Sequence, residues 1–318
     1  MAPFIPAPWL PPAECPADAR QRSRQTAARD LVRVRRGLYL PAAYWAGLKP
    51  WERFRQQVQA VNDSAVGEPP VFALETAAHI LGMNPPFIPA QVQTLIRGSA
   101  TGGRSRNGIC RVVGVKGDPD PWIMDGLLVT PPIETARDIA AHRRLGIALP
   151  VMDRLIRPQL LAGVPNARLM SPPDVVPSIE RLKHATHRAR ATRVLDLANG
   201  ASESAGESLS RAIMILNGFP LPRLQNAFFD SKGLIGYSDF DWKEQQTVGE
   251  FDGHGKYKED QFLNSRTPGE VVVREKRRED RLRALGLVVV RWEWEDLVHP
   301  ERLVATLRRA GLDQRRRR

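Results

Sequence analysis

Apolar positions recur along this chain with two periods, and the clearest examples lie in its C-terminal third. LVVVRW (287–292) opens on a short continuous apolar run, as a buried strand requires. Upstream, ESAGESLSRAIMILNG (203–218) sets Leu209, Ile213 and Leu216 on one helical stripe, and Gly218 ends it. Residues 224–229 read as a short strand. GLIGYSDFDW and TVGEFDG read as a β-hairpin joined by the polar turn 243–246. A basic helix over 269–285, stopped by Gly286, and a last helix over 301–310 complete the series. The predicted order is helix, strand, hairpin, helix, strand, helix.

The first two thirds carry weaker patterns. Six prolines among the first sixteen residues mark an extended arm, followed by a short basic helix over 18–29. LVRVRRGLYLP (31–41) alternates apolar and basic residues as a half-exposed strand does, with Gly37 suited to a tight turn. Residues 51–61 place Phe54, Val58 and Val61 on one helical stripe. Residues 69–83 predict a strand start and a buried helix ending at Gly82. Short strands are expected over 92–96, 110–115 and 127–130, and RGSATGGRSRNG between the first two reads as a loop. Helices follow over 132–142, 149–156 and 180–199, the last long and basic.

Composition narrows the class. Apolar residues make up 42% and charged residues 26%, the balance of a globular protein. Two cysteines, Cys15 and Cys110, cannot build a disulfide framework or a four-thiolate zinc site. The proline-broken N-terminus lacks a secretion signal's apolar core, and no run suits a membrane span, so a cytoplasmic protein is expected. The net charge of +12 points to a polyanionic partner, nucleic acid first. The closing RRRR reads as a tail.

Period-two alternation puts Asp239 and Asp241 on one face of the first hairpin strand, and Glu250 and Asp252 on one face of the second. Converging carboxylates repel one another and raise their pKa values, a penalty that a divalent cation removes. Oxygen-only ligands suit Mg²⁺ or Mn²⁺, which assist phosphodiester chemistry. Lys256, beyond the Gly253 turn, is the candidate to hold water or the scissile phosphate, with Lys258 as its substitute and a DNA contact. The competing reading is an acidic hairpin on an exposed sheet. Trp292 and Trp294 are expected to pack rather than stack on bases.

SDFDW, TVGEFDGHGKYK and REKRREDRLRALGLVVVRWEWEDL together resemble the small nuclease-like domain related to very-short-patch-repair endonucleases, within the PD-(D/E)xK superfamily. The resemblance covers about 202–307. It implies a metal centre of Asp239, Glu250 and Asp252, with Glu207 assisting and Lys256 positioning water. One position departs from the pattern: the usual lysine two residues after the Glu is Asp252 here. The first 160 or so residues resemble AbiEi-type antitoxins of abortive-infection toxin–antitoxin systems, through LVRVRRGLYLPAAYW, VFALETAAHILGM and LLVTPPIETARDIAA. That resemblance makes 31–41 the wing of a winged helix, with Arg33, Arg35 and Arg36 contacting DNA phosphates.

The expected fold class is therefore α+β / α/β in a two-part chain. Residues 1–20 form a proline-rich arm, 21–65 a partial winged-helix segment, and 66–178 an AbiEi-like mixed region. A basic linker helix over 179–200 leads to a restriction-endonuclease-like α/β core over 201–311, with a basic tail over 312–318. The expected function is Mg²⁺-dependent DNA cleavage in phage defence or DNA repair. Its alternative is a DNA-binding antitoxin or transcriptional regulator, partnered by a cognate toxin, whose nuclease-like domain is inactive.

Overall fold

The computed structural model describes residues 8–11, 15–96, 108–161, 169–253 and 268–313, with backbone alone for 16 and 268–273. The chain is a mixed α+β protein that divides into two units: Met1–His142 with Gln159–Arg193, and Arg143–Pro158 with Val194–Arg318. The division is discontinuous in sequence. No helix of the described residues is long and apolar enough to cross a membrane.

The chain opens with α1 (Pro16–Ala27), β1 (Leu31–Arg35), β2 (Leu38–Pro41), α2 (Ala42–Gly47) and α3 (Pro50–Asp63). The alternating segment is not one strand but the antiparallel pair β1–β2, because Gly37 takes φ 83° and turns the chain. Leu31 and Leu40 point inward, while Arg33 and Arg36 stay exposed. On α3 the expected stripe of Phe54, Val58 and Val61 is buried.

Next come β3 (Val71–Phe72), α4 (Leu74–Ile80), β4 (Val92–Ile96), β5 (Ile109–Val113), β6 (Trp122–Met124), β7 (Leu127–Val129) and α5 (Pro132–His142). The five strands form one mixed sheet in the order β5-β4-β3-β7-β6. β6, three residues long, escapes any reading by period.

Three helices follow: α6 (Leu145–Ile156), α7 (Pro172–Glu180) and α8 (Ala185–Leu197). The single basic helix expected over 180–199 is broken, since α7 ends at Glu180 and α8 starts five residues later. Arg188 Nη1 donates to the carbonyls of Leu182 and Lys183 at 2.6 and 3.1 Å, holding the bend between them.

In the second unit α6 is joined by α9 (Ala205–Leu216), β8 (Arg223–Asp230), β9 (Gly233–Trp242) and β10 (Thr247–Asp252). After these come α10 (Pro268–Ala284), β11 (Val288–Glu293), α11 (Trp294–Val298) and α12 (Pro300–Arg309). The sheet order is β11-β10-β9-β8. β8, β9 and β10 form an antiparallel meander, and β11 returns parallel to β10 after the α10 crossover.

Alternation then sorts the side chains. Phe240, Trp242 and Trp292 face one way, into a core with Leu209, Ile213 and Met214 of α9 and Leu303 and Leu307 of α12. Trp292 is 2% exposed and donates from Nε1 to Ser210 Oγ at 2.8 Å, while Trp294 packs edge-on against Phe251. Both tryptophans are packing residues. The other face holds a smaller cluster of Ile235, Val248 and Val289 under Leu282 of α10. Glu250, Asp252 and Arg291 belong to this second face by their spacing from Val248 and Val289.

Candidate acidic site on the second sheet

The central strands β9 and β10 pair through Val248 with Asp241 and Gly249 with Phe240. The chains then run on to Asp239 on one strand and Glu250 on the other. Asp239 Oδ2 accepts the Phe251 backbone N–H at 2.8 Å, which ties this carboxylate to the neighbouring strand. Its Oδ1 accepts from Gln225 Nε2 at 3.3 Å. The same nitrogen donates to Glu207 Oε2 at 3.3 Å, so one amide lies between two carboxylates.

Glu207 arrives from the first turn of α9. Ser204 caps that helix by accepting the Glu207 N–H, and Glu207 in turn accepts from Ser204 Oγ and from the Glu203 N–H, each at 2.8 Å. Burial, and then the charge of Asp239, pushes its carboxyl up to about 7. Burial also raises Asp239, against the lowering pull of the Phe251 N–H. Gln225 adopts φ 51°, a left-handed conformation uncommon for a residue with a side chain, in the middle of β8.

Glu250 sits in a cluster of charge. Arg278 Nη1 from α10 lies 2.6 Å from Oε1, and Arg291 Nη2 from β11 lies 2.7 Å from Oε2. Arg291 is the cross-strand partner of Glu250 in the parallel register, which explains its position. It also reaches Glu275 at 2.5 Å, and at 3.4 Å both Asp252 and Glu279. Burial raises the Glu250 carboxyl, and the two guanidiniums pull it back. Glu275 ends below the usual carboxylate range because Arg291 and Arg278 outweigh the upward push of its burial.

The structure thus brings Asp239, Glu250 and Asp252 onto one sheet face and sets Glu207 one amide away from Asp239. It does not gather the three acids expected as metal ligands into one ligand set. Among the described residues no group of three or more His, Cys, Asp or Glu side chains could hold an ion, and Asp252 is turned toward Arg291. Mg²⁺ commonly takes only one or two protein carboxylates and completes its shell with water and substrate phosphate. An oxygen-only pair on neighbouring strands fits that pattern in donor type, with Asp239 lacking an ion-pair partner among the described residues and Glu250 held by two arginines. Lys256 and Lys258 lie outside the described residues.

Reading along the sequence misses Gln225, Arg278, Arg291 and Glu275 as members of this site. The strand residue Arg291 was legible in principle, since an arginine breaks the otherwise apolar LVVVRW. On the first unit, Arg33 and Arg36 are exposed. Arg35 is anchored, its Nε donating to Ser64 Oγ at 2.5 Å.

No family model matches the sequence. Two relatives come from Mycobacterium tuberculosis: uncharacterized protein MT2308 of strain CDC 1551 / Oshkosh and uncharacterized protein Rv2248 of strain ATCC 25618 / H37Rv. Each is 28% identical over 187 residues, a match covering 58% of this chain and 62% of the relative.

Proposed function

We propose that this protein acts on DNA and that its second unit is a nuclease module of the PD-(D/E)xK type. The supporting observation is the placement of Asp239 and Glu250 on the two central strands of a four-stranded sheet, both raised by burial, with Glu207 one amide from Asp239. Buried acids with too few cations are costly and are a mark of functional sites.

A bound Mg²⁺ or Mn²⁺ would lower the pKa of the attacking water and stabilise charge on the phosphoryl oxygens. Asp239 and Glu250 would hold it. The Phe251 N–H and Gln225 fix how Asp239 points. Glu207, with its carboxyl up to about 7, exchanges a proton near neutral pH. The reaction is hydrolysis: water adds to phosphorus and the bond to the leaving sugar oxygen breaks.

The second reading is a DNA-binding antitoxin or regulator, partnered by a toxin, whose nuclease-like unit does not cleave. Two observations favour it: exposed Arg33 and Arg36 on the β1–β2 hairpin, and the capture of both Glu250 oxygens by arginines. Metal dependence separates the readings. Supercoiled plasmid should be nicked by the purified full chain with Mg²⁺ or Mn²⁺, not with EDTA, and not by Asp239→Ala or Glu250→Ala. DNA binding without nicking in any of these metals would transfer the case to the regulator.

A further inference from the structure

The acidic centre, taken as a phosphodiester-cleaving site, needs a cation next to its glutamate to meet the negative phosphate. The position two residues after Glu250 on β10, where a lysine would supply it, holds Asp252. The parallel partner strand supplies a cation at the same level. Arg291 is paired with Glu250 in register and lies on the same sheet face. Its guanidinium is 2.7 Å from Glu250 and 3.4 Å from Asp252, between the two acids of the E-x-D segment.

We infer that Arg291 contacts the scissile phosphate in this site, supplying from β11 a cation beside Glu250. Three features of the residue fit that role. Its side chain is 27% exposed, so solvent and a ligand can reach it. Of its nitrogens only Nη2 makes short contacts, to Glu250 and Glu275. Nη1 is held only by long contacts of 3.4 Å to the two Asp252 oxygens, while Nε is buried and lies 3.4 Å from Glu279, which leaves Nη1 as the donor a ligand can take. A guanidinium offers five donors in a planar fork that matches phosphate oxygens, so Nη2 can stay on Glu250 while Nη1 turns to DNA.

The neighbour that competes for this role is Glu275. Its Oε1 accepts from Arg291 at 2.5 Å and is 45% exposed at the side-chain level, so it occupies part of the fork that a phosphate would take. Arg278 is a weaker candidate, because its Nη2 is already given to the Tyr237 carbonyl and its Nη1 is shared by Glu250 and Glu275.

This inference rests on the proposed action on DNA, so its test starts in EDTA, where no cleavage is needed. Binding of the full chain to a short fluorescent duplex is measured by anisotropy across a salt series. Arg291→Ala should weaken binding several-fold and make the salt slope about one unit shallower, the loss of one phosphate contact. Arg291→Lys should keep the slope. Glu275→Gln removes the competitor without removing the cation and should tighten binding several-fold. Arg302→Ala, on α12, should change nothing.

With Mg²⁺ present, Arg291→Ala should also cut the nicking rate about 100-fold, with Arg291→Lys recovering part of it. A folded Arg291→Ala whose slope and rate match the wild type would make Arg291 a structural counter-ion and overturn the inference. So would Glu275→Gln that binds no tighter than wild type. Wild-type protein that binds DNA with the expected Arg291 effect but never cleaves would overturn the nuclease reading and leave the phosphate contact standing. Wild-type protein that does not bind DNA would overturn both.

Discussion

Each unit buries a cluster of charge, and the two clusters are built on opposite terms. In the first unit Arg137 is fully buried and every nitrogen of its guanidinium is used. It meets both Asp118 oxygens at 2.6 and 2.8 Å, Asp138 at 2.8 Å and Ser178 at 3.2 Å. Arg181 joins by pairing with Glu134 at 2.7 Å. Three carboxylates thus share two guanidiniums, and a hydroxyl fills the remaining gap. In the second unit Glu250, Asp252, Glu275 and Glu279 share Arg278, Arg283 and Arg291, while Asp239 and Glu207 stand beside them and make no ion pair among the described residues. The first cluster is closed by its own members. Both carry more carboxylates than guanidiniums, but the second has the larger excess, and Nη1 of Arg291 is held only by 3.4 Å contacts. Burial of charge is common to both, so burial alone does not mark a functional site; what differs is that Asp239 and Glu207 have no ion-pair partner among the described residues.

The largest expected effect is on the closed cluster. Arg137→Ala leaves Asp118 and Asp138 without their main partner and should cost about 3–5 kcal/mol, read from urea unfolding of the full chain. A loss under about 1 kcal/mol would show that the cluster is not closed in the sense described.

The open cluster should respond in the opposite direction. Glu207 has a folded-state pKa raised to about 7 from an ordinary 4.5, so the folded protein binds its proton more tightly than the unfolded chain does. Its charging therefore removes stability as pH rises through that window, by up to about 3 kcal/mol. Asp138, pushed up to about 6 by burial, adds a similar trend, so the informative quantity is the difference between variant and wild type. Glu207→Gln should be more stable than wild type at pH 8 and no more stable at pH 4, as followed by thermal melting. Equal pH dependence in both proteins would remove the surplus-charge account.

A smaller change is expected at Gln225. Gly at this position relieves the left-handed backbone but removes the amide between Glu207 and Asp239. The two terms should nearly cancel, leaving a net change within about 1 kcal/mol. The Glu207 titration, followed by carboxyl carbon NMR, should move further upward once that N–H is gone.

Much of the second unit was legible because its elements are long and periodic. The stripe of Leu209 and Ile213, the hairpin and the run before Trp292 each announce themselves, although Leu216 of the expected stripe stays 45% exposed at the helix end, and alternation alone puts Asp239 and Glu250 where a shared site becomes possible. The partners were hidden for a definite reason. Whether Arg291 meets Glu250 depends on the parallel register of strands separated by α10, which no local pattern encodes. Gln225 enters only through a left-handed kink in β8. In the first unit most of the short strands were legible as apolar runs between turns, but their order in the sheet was not, and the membership of α6 in the second unit follows from packing alone. The acids could be read from the sequence, but the cations that answer them could not.

Gly206 supplies one more consequence. A Cβ built at this position would overlap the Phe251 ring, so the helix that carries Glu207 reaches this strand only because a methyl group is missing. Positions 206 and 251 are therefore expected to vary together. A homologue with alanine at 206 must carry a smaller residue at 251 or lose the approach of Glu207 to the sheet. An alignment of diverged homologues would show that trade directly, and a glycine kept together with a large aromatic would trace the acidic centre through chains too distant to compare by identity.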